Sequence, residues 1–133
     1  MKNGAQPLVL IADYDDEERC LLKAILKFIG FDVMEAADGQ QALKLAKDKL
    51  PDLLLVELDL PVVNGFSVIR QLRKQAQARD LPIATVSLSA PGARQNSLGL
   101  GNAAHWEKPV DFNKLFALID RLWPGYRRAL AGV

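Results

Sequence analysis

Two acids, a hydroxyl and an amine follow the apolar segments of this sequence, each near the point where a segment ends. They are Asp13, Glu57, Ser87 and Lys108. Clustered carboxylates can bind a hard cation such as Mg²⁺, and a lysine and a hydroxyl can hold phosphoryl oxygens. A carboxylate can itself be a nucleophile that forms an acyl phosphate. The plain alternative is an ion pair of Glu57 with Lys108 that closes the strand ends, with Asp13 solvated as a helix cap.

The segments that must position these groups alternate between strand and helix patterns. Strands are predicted over residues 7–13, 31–36, 52–58, 81–89 and 103–107, and helices over residues 16–30, 39–50, 66–73 and 111–123. Continuous apolar runs are typical of strands that are buried on both faces. The alternation therefore predicts an α/β fold with a five-stranded parallel sheet and helices on both sides. The four groups then share the carboxyl edge of the sheet.

Two regions have weaker patterns. Residues 90–102 contain Pro91, Gly92, Gly99 and Gly101, and each interior glycine costs a helix about 1 kcal/mol relative to alanine, so only a short or mobile helix is expected there. The end of the chain, residues 124–133, has no core pattern and is expected to be a surface-packed or frayed tail.

Local signals give finer expectations for the first two helices. Leu21, Leu22, Ile25, Leu26 and Ile29 form one apolar stripe in the first helix, and Cys20 is predicted to be a buried thiol. In the second helix, the residue types at 38 and 41 predict an aspartate N-cap with a glutamine as its capping-box partner.

The composition narrows the class of protein. The chain has 133 residues, the size of one domain, and 17 basic against 16 acidic side chains give a formal charge of +1. This charge balance does not favour nucleic-acid binding. A single cysteine excludes an internal disulfide, and no apolar run approaches the ~20 residues that span a bilayer. The start of the chain lacks a secretion signal, so a cytoplasmic protein with no membrane partner is expected.

Five motifs follow one another over about residues 7–123: "LVLIADYDDEER", "GFDVMEAADGQQAL", "PDLLLVELDLPVVNGFSVIRQLR", "LPIATVSLSA" and "HWEKPVDFNKL". In this order they resemble the receiver domain of bacterial two-component response regulators. The resemblance implies a flavodoxin-like, three-layer (βα)5 fold with strand order 2-1-3-4-5. It also implies one receiver-like domain over residues 1–123, followed by the tail.

The resemblance places the acidic pocket of the family on this sequence imperfectly. The phosphoacceptor aspartate falls on Glu57, and the paired metal acids fall on Asp13 and Tyr14, so one acid is missing. Asp15 lies next to Tyr14 at the start of a helix, and the residue whose carbonyl completes the metal shell falls on Asp59. A metal set of Asp13, Glu57 and Asp59 is therefore expected to bind Mg²⁺ weakly or not at all, and no other cofactor is expected.

The switch positions of the family are better preserved. The hydroxyl that contacts a phosphoryl group falls on Ser87, and the lysine falls on Lys108. The aromatic switch residue falls on His105, the only histidine. A histidine can respond to pH, but here a half-exposed surface position is favoured.

Together these departures predict a pseudo-receiver that is not an enzyme. Glutamate is one methylene longer than aspartate, so its carboxylate reaches roughly 1.5 Å further, where it could accept from Ser87 and pair with Lys108. In-line phosphoryl transfer depends on close placement of the attacking oxygen, which makes Glu57 a poor acceptor. The predicted activity is binding of a sensor kinase or a downstream signalling protein, as a monomer or weak homodimer.

Three alternatives remain open at this level. One is a working Mg²⁺-dependent phosphoacceptor that uses Asp13 and Asp15, with Glu57 or Asp59 as the acceptor. Another is an engineered phosphomimetic glutamate at position 57. The third is a flavodoxin-like cofactor enzyme, which is disfavoured because the loop "DYDDEE" would repel a phosphate.

Overall fold

The computed structural model describes residues 6–87 and 92–127, which fold as five alternating strands and helices. The strands are β1 (Leu8–Ala12), β2 (Asp32–Ala36), β3 (Leu53–Glu57), β4 (Ile83–Ser87) and β5 (Ala104–Glu107). The helices are α1 (Asp16–Phe28), α2 (Gly39–Lys49), α3 (Gly65–Arg73), α4 (Ala93–Leu98) and α5 (Phe112–Leu122). All neighbouring strands are parallel, in the order β2-β1-β3-β4-β5, which confirms the predicted fold class and strand order.

The core lies on both faces of this sheet because successive side chains of a strand point to opposite faces. On one face, Leu10 and Leu54 pack with residues of α2 and α3. On the other face, Ile11 and Leu55 pack with residues of α1 and α5. Strands buried on both faces explain why the sequence reads as continuous apolar runs rather than alternating ones.

Polar side chains fix where the helices begin. The Asp38 carboxylate accepts the backbone N–H of Gln41 at 2.8 Å, which confirms the predicted N-cap. The Gln41 side chain accepts the N–H of Ala37 at 2.9 Å, one residue before the Asp38 N–H that a capping box would use. Asn64 caps α3 by accepting the N–H of Ser67 at 3.0 Å. These caps satisfy N–H groups that have no partner inside the helix.

The predicted burial of two residues in α1 is wrong. Cys20 is exposed, and the Leu21 side chain is 55% exposed. Leu22 and Leu26 are buried instead, because α1 contacts the sheet through the positions one residue further along. A stripe that includes both Leu21 and Leu22 is wider than the face that one sheet can cover.

The weakly patterned regions are partly described. The helix α4 is only six residues long, as expected for a segment rich in glycine. At the end of the chain, the Tyr126 ring stacks on Phe31 with centroids 4.9 Å apart, and its hydroxyl donates to the Gly30 carbonyl at 2.9 Å. The predicted strand end at 88–89, the neighbouring residues 90–91 and tail residues 128–133 lie outside the described residues. Within the described ranges, no helix has both the length and the apolar character needed to cross a membrane.

Candidate functional site

The carboxyl edge of the sheet places Lys108 among three acids. Its ammonium lies 2.6 Å from Glu57 Oε1, 3.2 Å from Asp13 Oδ1 and 3.9 Å from Glu18 Oε2. The strand register explains the first two contacts, since Ala12 pairs with Val56 and the next residues along are Asp13 and Glu57. Lys108 follows β5 directly, and its N–H donates to the Ser87 carbonyl at 2.9 Å. Residues 95 positions apart therefore meet in one ionic cluster.

Both carboxylate oxygens of Glu57 have a donor. Oε1 accepts from Lys108, and Oε2 accepts the backbone N–H of Tyr14 at 3.1 Å. The residue is 9% exposed. Behind it, α3 starts so close to the strand end that a Cβ on Gly65 would lie 2.4 Å from the Glu57 carbonyl oxygen. The glutamate is thus held at both its backbone and its side chain.

Asp13 is buried rather than solvated. It is 3% exposed, and its Oδ1 accepts the N–H of Asp15 at 2.8 Å as well as the Lys108 ammonium. The Asp13 carbonyl oxygen accepts from the Arg19 guanidinium at 2.6 Å. The alternative of a solvated Asp13 that caps the helix is wrong, because the cap of α1 is Asp15, which accepts the N–H groups of Glu17 and Glu18.

Burial and charge set the protonation of the cluster. Burial, together with the neighbouring Glu57 carboxylate, raises the pKa of Asp13 from 3.8 to about 6. Burial also acts to raise the pKa of Glu57, but hydrogen bonds from Lys108 and from the Tyr14 N–H outweigh it, so that the pKa is lowered. Burial acts to lower the pKa of Lys108, and the two acids reverse this and raise it. Glu57 and Lys108 are therefore a charged pair, and Asp13 is the carboxyl that takes up a proton first as pH falls, near pH 6.

The side chains of the other predicted pocket residues lie outside this cluster. Asp15 and Asp59 are exposed, and Tyr14 is 67% exposed. Among residues 6–87 and 92–127, no group of three or more acids, histidines or cysteines is placed to hold a metal ion. A Mg²⁺ ion needs a near-octahedral shell of oxygens, whereas here the single Lys108 ammonium already pairs with both buried carboxylates. The donor set does not fit Mg²⁺.

The expected surface position of His105 is wrong. The side chain is 4% exposed, with Nδ1 2.7 Å from Thr85 Oγ1 and Nε2 3.2 Å from Ser87 Oγ. Thr85 pairs with His105 in the parallel register, so both face the same side of the sheet beneath α4. The predicted strand over residues 103–107 is too short for its pattern to indicate which face of the sheet the histidine side chain would occupy.

Hydrogen bonds continue from His105 across the interior beneath α4. Thr85 Oγ1 makes a short hydrogen bond to Ser97 Oγ. Asn102 Nδ2 donates to Ser97 Oγ at 3.2 Å, and Asn102 Oδ1 accepts from the Arg73 guanidinium at 3.1 Å. Sequence reasoning missed these residues, although a threonine inside the apolar run of β4 was a usable signal, because a buried hydroxyl needs a partner.

Positive charge disfavours protonation of this histidine. Burial lowers the pKa of His105, and so does the guanidinium of Arg94, which donates to the His105 carbonyl at 3.2 Å. Glu107 acts in the opposite direction but does not reverse the shift. The ring is neutral at neutral pH, so one nitrogen donates and the other accepts.

Known proteins share the sequence pattern and the fold of this chain. The sequence model of the family described as "Response regulator receiver domain" matches residues 9–120. The DNA-binding dual master transcriptional regulator RpaA of Synechocystis is 34% identical over 119 residues, which are 87% of this chain and 48% of that protein. The chain spans about half the length, or less, of the curated relatives it matches.

Solved structures agree with this assignment. The chemotaxis protein CheY4 of Vibrio cholerae superposes with a TM-score of 0.80 at 27% identity, covering 89% of this chain and 99% of that one. The receiver domain of a Pseudomonas aeruginosa sensor histidine kinase, solved with a magnesium ion in its active-site cleft, gives 0.80 at 29% identity, with 89% and 98% covered. On its matched residues, strand order and the acid and lysine edge of its sheet, this chain belongs to the response regulator receiver domain family of two-component signalling.

Proposed function

We propose that this chain signals by binding a protein partner and is not phosphorylated at position 57. The observation that carries the proposal is the double engagement of Glu57, whose Oε1 lies 2.6 Å from the Lys108 ammonium and whose Oε2 accepts the Tyr14 N–H. A carboxylate that attacks phosphorus needs an oxygen free to approach in line. Here both oxygens already bind donors that a phosphoryl group would have to displace or share.

The charge of the pocket supports the same proposal. A Mg²⁺ site gains affinity with each added carboxylate, and Tyr14 contributes none while Asp15 caps α1. The P. aeruginosa receiver described above holds magnesium in its cleft. In this chain Lys108 provides the positive charge next to Asp13 and Glu57. Mg²⁺ binding and phosphoryl transfer to position 57 are thus both disfavoured in this pocket.

A site in which Glu57 is already paired with Lys108 keeps one arrangement regardless of a phosphate donor. The partner surface is then always presented, and its occupancy depends on the concentration of the partner. The class of partner that we propose is a sensor kinase or a downstream signalling protein, and the chain has no enzymatic role of its own.

Incubation with acetyl phosphate and Mg²⁺, followed by intact-mass measurement, tests the proposal. The unaltered chain should show no added phosphoryl group. The double variant Glu57→Asp with Tyr14→Asp should gain one, because it restores both the shorter acceptor and the second metal acid. The variant Glu57→Asn with Tyr14→Asp has the second metal acid but no carboxylate at position 57, so it should gain none and serves as the matched control.

Two results would count against the proposal. Phosphorylation of the unaltered chain, mapped to Glu57 or Asp59, would favour the working phosphoacceptor. A double variant that stays unmodified while its circular dichroism is native would show that the block lies elsewhere than in these two side chains.

A further inference from the structure

The outward face of α1 carries apolar side chains where a surface helix ordinarily carries charges. Phe28 is 92% exposed and Leu21 is 55% exposed, and Cys20 and Ala24 are exposed with them. Positions 20, 21, 24 and 28 recur at the helical spacing of three and four, so they form one continuous stripe. We call this stripe, with its flanking charges, the outer α1 face. A single exposed leucine needs no explanation, but a contiguous stripe that ends in a fully exposed phenyl ring does.

The outer α1 face has opposite charges at its two ends. Glu17 lies at the start of the helix and Lys27 near its end, and both are exposed. The two residues are ten positions apart, which is about 15 Å along a helix. Charges so arranged attract a second helix of the same charge pattern only when it runs in the opposite direction.

The same face also carries a projection and a depression. Phe28 projects at the carboxyl end. At the other end, an open depression of about 450 Å³ is lined by Asp16, Glu17, Cys20, Leu21 and Ala24. Small side chains at positions 20 and 24 let another backbone approach closely near the middle of the helix.

We propose that the outer α1 face binds a second copy of this chain, with the two α1 helices antiparallel about a two-fold axis. When Glu17 is placed opposite the partner's Lys27, residues 20 and 24 lie opposite each other. Phe28 then lies opposite Asp16, over the depression on the other copy. A two-fold interface must be self-complementary, and this face matches itself in charge and in shape.

The size of the face sets the strength of the dimer. The 13 residues of α1 make a helix about 20 Å long, and one helix face buries less than the roughly 800 Å² per partner of a standard stable interface. The dimer should therefore be weak, with dissociation constants in the range of about 10 µM to 1 mM.

Sedimentation velocity over that concentration range tests the proposal. The unaltered chain should shift from monomer toward dimer as concentration rises, and Phe28→Asp should keep it monomeric throughout. The matched control is Val62→Asp, which places the same charge on an apolar residue that is 74% exposed elsewhere, before α3, and should leave association unchanged.

Charge exchange tests the antiparallel register. Glu17→Lys and Lys27→Glu should each weaken self-association at least threefold, because each puts like charges opposite each other. An equimolar mixture of the two variants should associate more tightly than either alone, since every like-charged contact becomes an ion pair. A chain that is monomeric at about 1 mM, even if another protein binds the face, would overturn the proposal. So would a dimer that survives Phe28→Asp, or a mixture no tighter than its components.

Discussion

The ammonium of Lys108 is the counterion of both buried carboxylates, 2.6 Å from Glu57 Oε1 and 3.2 Å from Asp13 Oδ1. The lysine side chain is only 11% exposed, so water could solvate the two carboxylates only poorly if the ammonium were removed. Removing one member of such a cluster leaves an unpaired charge, which costs more than the pair itself contributed. The stability of the sheet edge should therefore depend on the lysine more than on either acid.

Lys108→Ala should lower the free energy of unfolding by on the order of 1–2 kcal/mol, because it leaves Glu57 and Asp13 as adjacent acids. Glu57→Gln should cost less, since it keeps the shape of the side chain and one acceptor. The two effects should not add, because both substitutions remove the same contact. Urea unfolding of both single variants and the double variant measures the coupling directly.

A matched lysine elsewhere provides the control for this cycle. Lys44 pairs with Asp48 at 3.3 Å, but its side chain is 78% exposed. Lys44→Ala should change stability by no more than about 0.5 kcal/mol. A coupling energy near zero for Lys108 and Glu57 would mean that the two side chains do not meet in solution.

Asp13→Asn should stabilise the protein above neutral pH. Burial raises the pKa of Asp13 from 3.8 to about 6, so between these values the folded state binds more protons at this carboxyl than the unfolded chain does. Stability therefore falls as pH rises through this window and stays lower above it. Asparagine keeps an acceptor for the Asp15 N–H without the buried charge, and we expect a gain on the order of 1–2 kcal/mol at pH 8.

The pH dependence separates this cause from packing. The gain should shrink toward pH 4, where the wild-type carboxyl is also neutral. Asp48→Asn, at an exposed position, should have the same small effect at both pH values. If Asp13→Asn is instead destabilising at pH 8, attraction to Lys108 outweighs the cost of burial.

The strands and the shared site edge were predictable because each follows from a repeated pattern, whereas the strand order was implied by the resemblance to receiver domains. Five apolar runs separated by helical stripes leave few ways to build a parallel sheet. The carboxyl ends of its strands must then meet, which brings Asp13, Glu57 and Lys108 together across most of the sequence. The exposure of Cys20 and Leu21 was not predictable in the same way. Adjacent leucines at positions 21 and 22 are compatible with two orientations of the helix on the sheet, about 100° apart.

The burial of His105 and its hydrogen-bond partners could not be predicted from the sequence. A strand of four residues, AHWE, gives too few positions for its alternation to say which side chain faces inward. His105 is buried by its pairing with Thr85, and the Thr85 hydroxyl is satisfied in turn by Ser97 of α4. Such contacts depend on tertiary register, which no local pattern encodes.

Gly65→Ala should disturb the site through the backbone of Glu57. A Cβ at Gly65 would lie 2.4 Å from the Glu57 carbonyl oxygen and 2.7 Å from the Leu58 Cα, and backbone atoms cannot move aside as a flexible side chain can. We expect a loss of about 2–3 kcal/mol in urea unfolding. Gly99→Ala is the control, since its Cβ would come no closer than 3.2 Å to another atom and should change stability by less than about 1 kcal/mol.

Arg73 fixes the hydrogen-bond directions at the far end of the network that reaches His105. Its guanidinium can only donate, so Asn102 accepts through Oδ1 and donates through Nδ2 to Ser97. The Ser97 and Thr85 hydroxyls can each donate and accept, so a neutral His105 ring either accepts from Thr85 at Nδ1 and donates to Ser87 from Nε2, or the reverse. A protonated ring would donate from both nitrogens, so Thr85 and Ser87 would both have to act as acceptors.

Acidification should therefore weaken the fold through His105. Burial and Arg94 lower its pKa below the ordinary 6.5, so below that pH the unfolded chain binds a proton that the folded protein resists. Its contribution to stability is complete above pH 6.5 and is lost as pH falls toward the folded pKa, by at most about 1.4 kcal/mol per pH unit. Because acidification increases stability at Asp13, the comparison must be with His105→Gln, which should lack the loss at His105 while keeping the gain at Asp13. The chain has one histidine, so a single imidazole signal in an NMR titration reports the pKa directly. A midpoint at or above 6.5 would show that burial and Arg94 do not hold the ring neutral.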